Sequence, residues 1–155
     1  MNKKGFTLIE LLIVVAIIGI VAAIAIPNLL TALQKGKQKA TMGDMKSMGT
    51  AIEAYMADIS IVPQTGGGMP YTPYFTPFYI KIMPRADGWG NAWVYTHGAV
   101  GSNGDIYSIG SGGRNDFAAG SWTATGDYLC TSLEHFNYDI VFSNGYFCYG
   151  PRVKN

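Results

Sequence analysis

GFTLIELLIVVAIIGIVAAIAIPNLL, residues 5–30, has no polar side chain from Leu11 to Ile26. Counting from Phe6, only Thr7 and Glu10 interrupt the apolar run before Pro27. Crossing the hydrocarbon core of a bilayer takes ~20 residues at ~1.5 Å each, and inside it only a helix satisfies its own backbone. The stretch is therefore predicted to be a membrane-spanning helix, from which the rest of the chain hangs. Glu10 is the anomaly. A charge at membrane depth costs ~2.5 kcal/mol or more, so such groups are usually paired and functional. Lys3 and Lys4 belong to the polar flank, and no cation lies within helical reach inside the span. The other reading places Glu10 at the headgroup boundary.

The string Lys4-Gly5-Phe6-Thr7-Leu8-Ile9-Glu10-Leu11 resembles the class III signal of the type IV pilin and type II secretion pseudopilin family. The likeness runs from Lys3 to about Leu30 and takes in Pro27. It implies a leader, residues 1–5, cut by a prepilin peptidase between Gly5 and Phe6, and N-methylation of Phe6. It also implies that Glu10 meets the terminal amine of Phe6 on a neighbouring subunit. That contact would turn an isolated charge into a pair, the condition under which burial is tolerable. Further partners follow from the same likeness: other copies of the chain in a helical filament, and an inner-membrane assembly platform. The implied location is the bacterial inner membrane as a single-pass precursor, then a periplasmic or extracellular filament.

The 155 residues allow one domain plus an anchor. A net charge of +1 lacks the strongly basic face that nucleic acid requires. The leader is too short for an ordinary secretory signal, although Ala22–Ala25 could mimic a conventional cleavage site. Lysines flank both ends of the apolar run, so the positive-inside rule gives no orientation. Cys130 and Cys148 are the only cysteines. Such a pair fits a disulfide formed in an oxidising compartment, which would put the head outside the cytoplasm; two free thiols are the alternative.

Past Leu33 the pattern becomes amphipathic. Met45, Met48, Ile52, Tyr55 and Ile59 follow spacings of three and four and so share one helix face. Pro27 is expected to kink the helix rather than end it. The apolar half is residues 6–30 and the amphipathic half 31–59, roughly 80 Å if continuous. Gly36, Gly43 and Gly49 mark either flexibility or close packing. Residues 60–83 form a connector dense in proline and aromatics, unsuited to a regular helix or central strand. Its aromatics either pack onto the head or face a neighbouring subunit or ligand.

The head occupies residues 84–155. Asp87-Gly88-Trp89-Gly90-Asn91 resembles the signature of the major, G-type pseudopilins, with Gly88 where proline is usual. Strands are expected at 92–97, 105–109, 139–143 and 146–149, with turns near 101–104 and at Asn144-Gly145, the strongest hairpin signal in the chain. The fold class is α+β: a long N-terminal helix with a small antiparallel sheet packed on its C-terminal half. The stretch Tyr107–Gly113, taken with Asp139-Ile140-Val141, resembles the calcium-loop region of the same pseudopilins. The candidate ligands are Asp116, Asp139 and carbonyls near Ser108 and Ser111, hard oxygen donors suited to calcium. Tyr138 stands where the family carries a second acid, and residues 114–137 form an insertion. An ordinary polar loop is the other reading.

Nothing in the chain matches a catalytic signature. His97 and His135 are the only histidines and form no metalloprotease pattern; nucleophile-elbow, phosphate-loop and dinucleotide motifs are missing. The function expected is that of a filament subunit, in a type II secretion pseudopilus or a surface type IV pilus. The alternative is a membrane-tethered binding module or enzyme that does not polymerise.

Overall fold

A single helix, α1 (Leu8–Ile59), runs for 52 residues. At ~1.5 Å per residue it is about 78 Å long, matching the expected length. The computed structural model describes residues 5–65, 69–70, 75–98, 106–115, 126–128, 130 and 132–152. The leader residues Met1–Lys4, the triglycine at 66–68, Tyr71, Pro73 and Tyr74, the turn near 101–104 and Asp116 lie outside the described residues.

Pro27 sits inside α1 without ending it. It has no N–H to donate to the Ala23 carbonyl one turn back. Beyond it, the Thr31 hydroxyl donates to the Pro27 carbonyl at 3.0 Å. The helix ends at Ser60, whose φ of 63° is left-handed and whose N–H returns to the Met56 carbonyl at 2.8 Å.

The sheet has five strands in the order β1-β2-β4-β5-β3. They are β1 (Val94–His97), β2 (Tyr107–Ser111), β3 (Gly126–Tyr128), β4 (Ile140–Ser143) and β5 (Tyr146–Pro151). β1, β2, β4 and β5 pair antiparallel, as expected. β3 comes from the insertion and adds a parallel edge strand beside β5. The sequence reading missed it because three residues carry too little alternation to register as a strand. The β4–β5 hairpin turns at Asn144 and Gly145, with φ of 45° and 89°. Two successive positive values are what a tight hairpin turn demands, and Asn-Gly supplies them.

The sheet lies on the C-terminal half of α1. Met45, Met48, Ala51 and Ile52 from the helix meet Ile109, Ile140 and Phe142 from the sheet, with Trp93, Tyr95 and Tyr107 closing the core. The expected stripe is buried at Met45, Met48 and Ile52 and partly at Tyr55. It fails at Ile59, 49% exposed. The stripe instead extends toward the N-terminus through Thr41 and Gln38, both buried. Of the three glycines, Gly49 marks close packing: a Cβ there would strike the Phe142 ring, while Gly36 and Gly43 face open space. In the connector, Phe75 and Tyr79 pack against Tyr55 at ring-centroid distances of 5.7 and 5.4 Å. Phe78 and Ile82 point away from the core, 83% and 77% exposed.

The expected Cys130–Cys148 bridge is not formed; both are free thiols. Cys130 is in contact with the Gln38 side chain, Sγ 3.4 Å from the amide, on the helix side of the sheet. Cys148 follows Phe147, which packs into the core, and side chains alternate along a strand. Cys148 therefore faces the other side. β3 and β5 also run parallel, with Gly126 opposite Tyr149 and Tyr128 opposite Pro151. That register carries the chain toward Cys130 away from Cys148, and a disulfide needs Cα atoms within ~7 Å.

Candidate functional site

The helix tip is built by a reciprocal cap. Thr7 is extended, with φ of −84° and ψ of 149°, and its hydroxyl accepts the Glu10 N–H at 3.3 Å. The Glu10 carboxylate reaches back to accept the Thr7 N–H at 2.8 Å and its hydroxyl at 2.7 Å, both on Oε2. This is a capping box, and it satisfies helix donors that would otherwise be orphaned. The sequence reading singled out Glu10 but not Thr7. The signal was present, since Thr-x-x-Glu ahead of an apolar run is the capping-box pattern.

From this tip to Leu33 the helix is left largely uncovered by the described residues. Seventeen large apolar side chains between Phe6 and Leu33 are 45–80% exposed. Leaving each in water forgoes roughly 1.5–3 kcal/mol. The total runs to tens of kcal/mol, against the 5–15 kcal/mol by which a typical domain is stable. This half of the helix must therefore be covered, by lipid or by other helices. It is apolar and long enough to cross a membrane.

A second constellation fixes the head to the other half. The Asp87 carboxylate, nearly buried, accepts the Trp89 N–H at 2.9 Å, the Asn91 N–H at 2.8 Å and the Ser111 hydroxyl at 2.6 Å. Its backbone pairs with Asn91 and Gly90. The loop so tightened touches α1 twice. The Gly88 N–H donates to the Thr41 hydroxyl at 2.9 Å, and the Trp89 indole N–H donates to the Gln34 side chain at 2.7 Å. A Cβ on Gly88 would run into the Lys37 carbonyl, so only glycine permits this approach. A proline there would remove the donated N–H as well. The sequence reading recognised the loop but not its seat on the helix. Gln34, Gln38 and Thr41 continue the stripe at spacings of four and three, but being polar they carry no hydropathy signal.

The histidines hold backbone in place. His97 Nε2 lies 3.2 Å from the Thr65 N–H and 3.0 Å from its carbonyl, and His135 Nδ1 accepts the Ser132 N–H at 3.2 Å. Of the candidate calcium ligands, Asp116 lies outside the described residues. Ser108 lies within β2, paired on both sides by β1 and β4. The Ser111 hydroxyl is committed to Asp87 and to the Gly113 N–H. Asp139 is half-buried just ahead of β4, its pKa pushed up by burial. Among the described residues no group of three or more His, Cys, Asp or Glu side chains comes together.

Comparison with known proteins agrees with the architecture. Residues 1–26 match the prokaryotic N-terminal methylation motif, and residues 28–123 match the family of type II secretion system (T2SS), protein G. The chain is 33% identical over 139 residues to the type II secretion system core protein G of Pseudomonas aeruginosa, covering 78% of this chain and 96% of that protein. It is 33% identical to the protein of that name from Vibrio cholerae over 123 residues, covering 73% and 84%. The Escherichia coli K12 protein is 32% identical over 128 residues, covering 73% and 85%. No solved structure gives a significant match. An apolar assembly helix carrying a small sheet head defines a structural subunit of a pilin-like filament. The chain belongs to the type II secretion system protein G family, the major pseudopilins.

Proposed function

We propose that the chain builds a type II secretion pseudopilus rather than a surface pilus. On this reading the precursor is cut between Gly5 and Phe6 by a prepilin peptidase and methylated at Phe6. It waits in the inner membrane with its head in the periplasm. An assembly platform then moves its apolar half-helix from lipid into a bundle of like helices. Membership of the type II secretion system protein G family carries the choice of a pseudopilus, and the filament reading rests on the uncovered half of α1, apolar on every side and tipped by the Thr7–Glu10 box. Lipid can cover that surface, and so can other copies of it. Both bonds from Thr7 fall on Glu10 Oε2, which leaves Oε1 outside the cap for a neighbouring Phe6 amine. An unpaired carboxylate in the bundle would penalise every other axial register. No catalytic role is assigned, since the two histidines serve as backbone ties.

The test is an intact mass on protein from the envelope fraction and on material sheared from outside the cells. A chain starting at Phe6 with one added methyl, held in the envelope, supports the pseudopilus. Abundant processed chain in the sheared fraction would favour a surface pilus instead. A chain still starting at Met1 would sink the filament reading. Glu10→Ala should leave the melting of the head unchanged and abolish filaments; filaments at normal abundance would count against the pairing.

A further inference from the structure

We propose that Phe78 and Ile82 of each head grip a second copy of the chain, on its α1 at Leu29, Leu30 and Leu33. The contact presupposes a filament of like copies. Beyond Leu33, Phe78 and Ile82 are the most exposed large apolar side chains among the described residues. Surface apolars scattered singly are ordinary, but this pair stands on an anchored loop. Phe75 and Met83 are buried in the core. The Tyr79 N–H donates to the Phe75 carbonyl at 3.0 Å, and its hydroxyl donates to the Asp58 carboxylate at 3.0 Å. The Tyr79 ring also meets Tyr55 edge to face. The loop is thus tied down on both sides of the pair, so little ordering is left for binding to impose.

The height of the loop decides its partner. Asp58 stands about 25 residues beyond Leu33, ~38 Å along the helix axis. The apolar run already fills the ~30 Å of a hydrocarbon core, so lipid does not reach the loop. A helical filament is built from heterologous contacts, in which one patch meets a different patch on another copy. An apolar projection needs an apolar seat, and among the described residues the uncovered first half of α1 offers the broad one. Its deeper turns face like helices in the bundle. Leu29, Leu30 and Leu33 form the last apolar turn before Gln34, where the copy's own head takes hold through Trp89. A neighbouring head reaches that turn without entering the bundle, and the two copies are then offset by ~38 Å along the axis. The charges agree with this pairing. Asp58, exposed beside the loop, comes within a turn of Lys37, which follows Leu33 by four residues and shares its face. Lys81, exposed in the same loop, has a stem long enough to keep its charge in water.

The test uses the full chain in cells that assemble it, with photoreactive benzoyl-phenylalanine in place of Phe78. Irradiation should join copies in pairs, and tryptic mapping should place the adduct on the apolar peptide that ends at Lys35. Phe78→Ser with Ile82→Ser should leave the head's melting midpoint in micelles unmoved. It should lower the assembled share about tenfold, the loss that ~1.4 kcal/mol produces. Assembled filaments whose adducts fall on another peptide, on lipid or nowhere would overturn this contact and leave the filament reading standing. So would a double variant that melts and assembles like the parent. A parent that forms no filaments would overturn both. The photoreactive chain keeps an aromatic ring at position 78, so a misfolded double variant does not remove the test.

Discussion

Asp87 shows how much one side chain can hold. Its carboxylate ties two backbone N–H groups of its own loop and a serine from β2 while almost out of contact with water. Hydrogen bonds to a charged acceptor contribute ~1.5–3 kcal/mol each, and buried donors left without a partner cost ~1–3 kcal/mol. Asp87→Ala should therefore destabilise the head by roughly 3 kcal/mol or more, read from denaturant melts of the full-length chain in micelles. An effect below ~1 kcal/mol would mean the loop finds other partners. Gly49 is held by a different force. Gly49→Ala improves helix propensity by up to ~1 kcal/mol but drives a methyl into the Phe142 ring. Overpacking of that kind costs ~1–3 kcal/mol, so the variant should melt lower, while the same change at Gly43, in open space, should melt higher.

At the scale of elements, the helix was almost wholly legible and the head only in part. Residues 11–26 admit no reading but an apolar helix, and Asn144-Gly145 between two apolar runs admits little but a hairpin. Met45, Met48 and Ile52 announced the buried face because their spacing is helical and their side chains apolar. Gln34, Gln38 and Thr41 obey the same spacing yet are polar, and hydropathy alone cannot separate a docking polar residue from a solvated one. The short β3 and the unbridged cysteines were hidden for another reason. Both depend on where the insertion returns to the sheet, which no local pattern encodes. Thr7 is legible in Thr-x-x-Glu, but the same Glu10 also reads as a charge at membrane depth. That double role gives an elemental prediction. Thr7→Val removes the hydroxyl that Glu10 both caps and is capped by, but keeps the backbone donor. The cost should be ~1 kcal/mol, confined to the first turn. It should appear as faster amide exchange at residues 8–11 in micelles, with the midpoint of the head unmoved.

The whole molecule has two halves that answer to different solvents, and alkali should separate them. Tyr95 and Tyr107 lie in the core with their hydroxyls donated to protein, Tyr95 to the Pro63 carbonyl at 3.0 Å, Tyr107 to Glu53 at 3.0 Å and the Gly49 carbonyl at 3.3 Å. Burial raises the pKa of both, and the carboxylate of Glu53 adds to the rise at Tyr107. In the unfolded chain a tyrosine loses its proton near pH ~10. Above that pH the unfolded state binds fewer protons than the folded one, so unfolding becomes more favourable as pH rises. The stabilisation is complete below pH ~10 and is lost from there upward, at about 1.4 kcal/mol per pH unit for each tyrosine. Denaturant melts of the head between pH 8 and 11 should show this as a fall that steepens above ~10. Tyr95→Phe and Tyr107→Phe should each flatten the fall while lowering stability near neutrality by ~1 kcal/mol for the lost hydrogen bonds. The apolar half of α1 has no titrating side chain other than Glu10, and its hydrogen bonds are internal. In micelles its helical signal should therefore persist after the head has unfolded, leaving a residual helix near half of the neutral-pH value. Loss of the entire helical signal in one step would show that the two halves fold as a single unit, with the head holding the membrane segment rather than merely hanging from it.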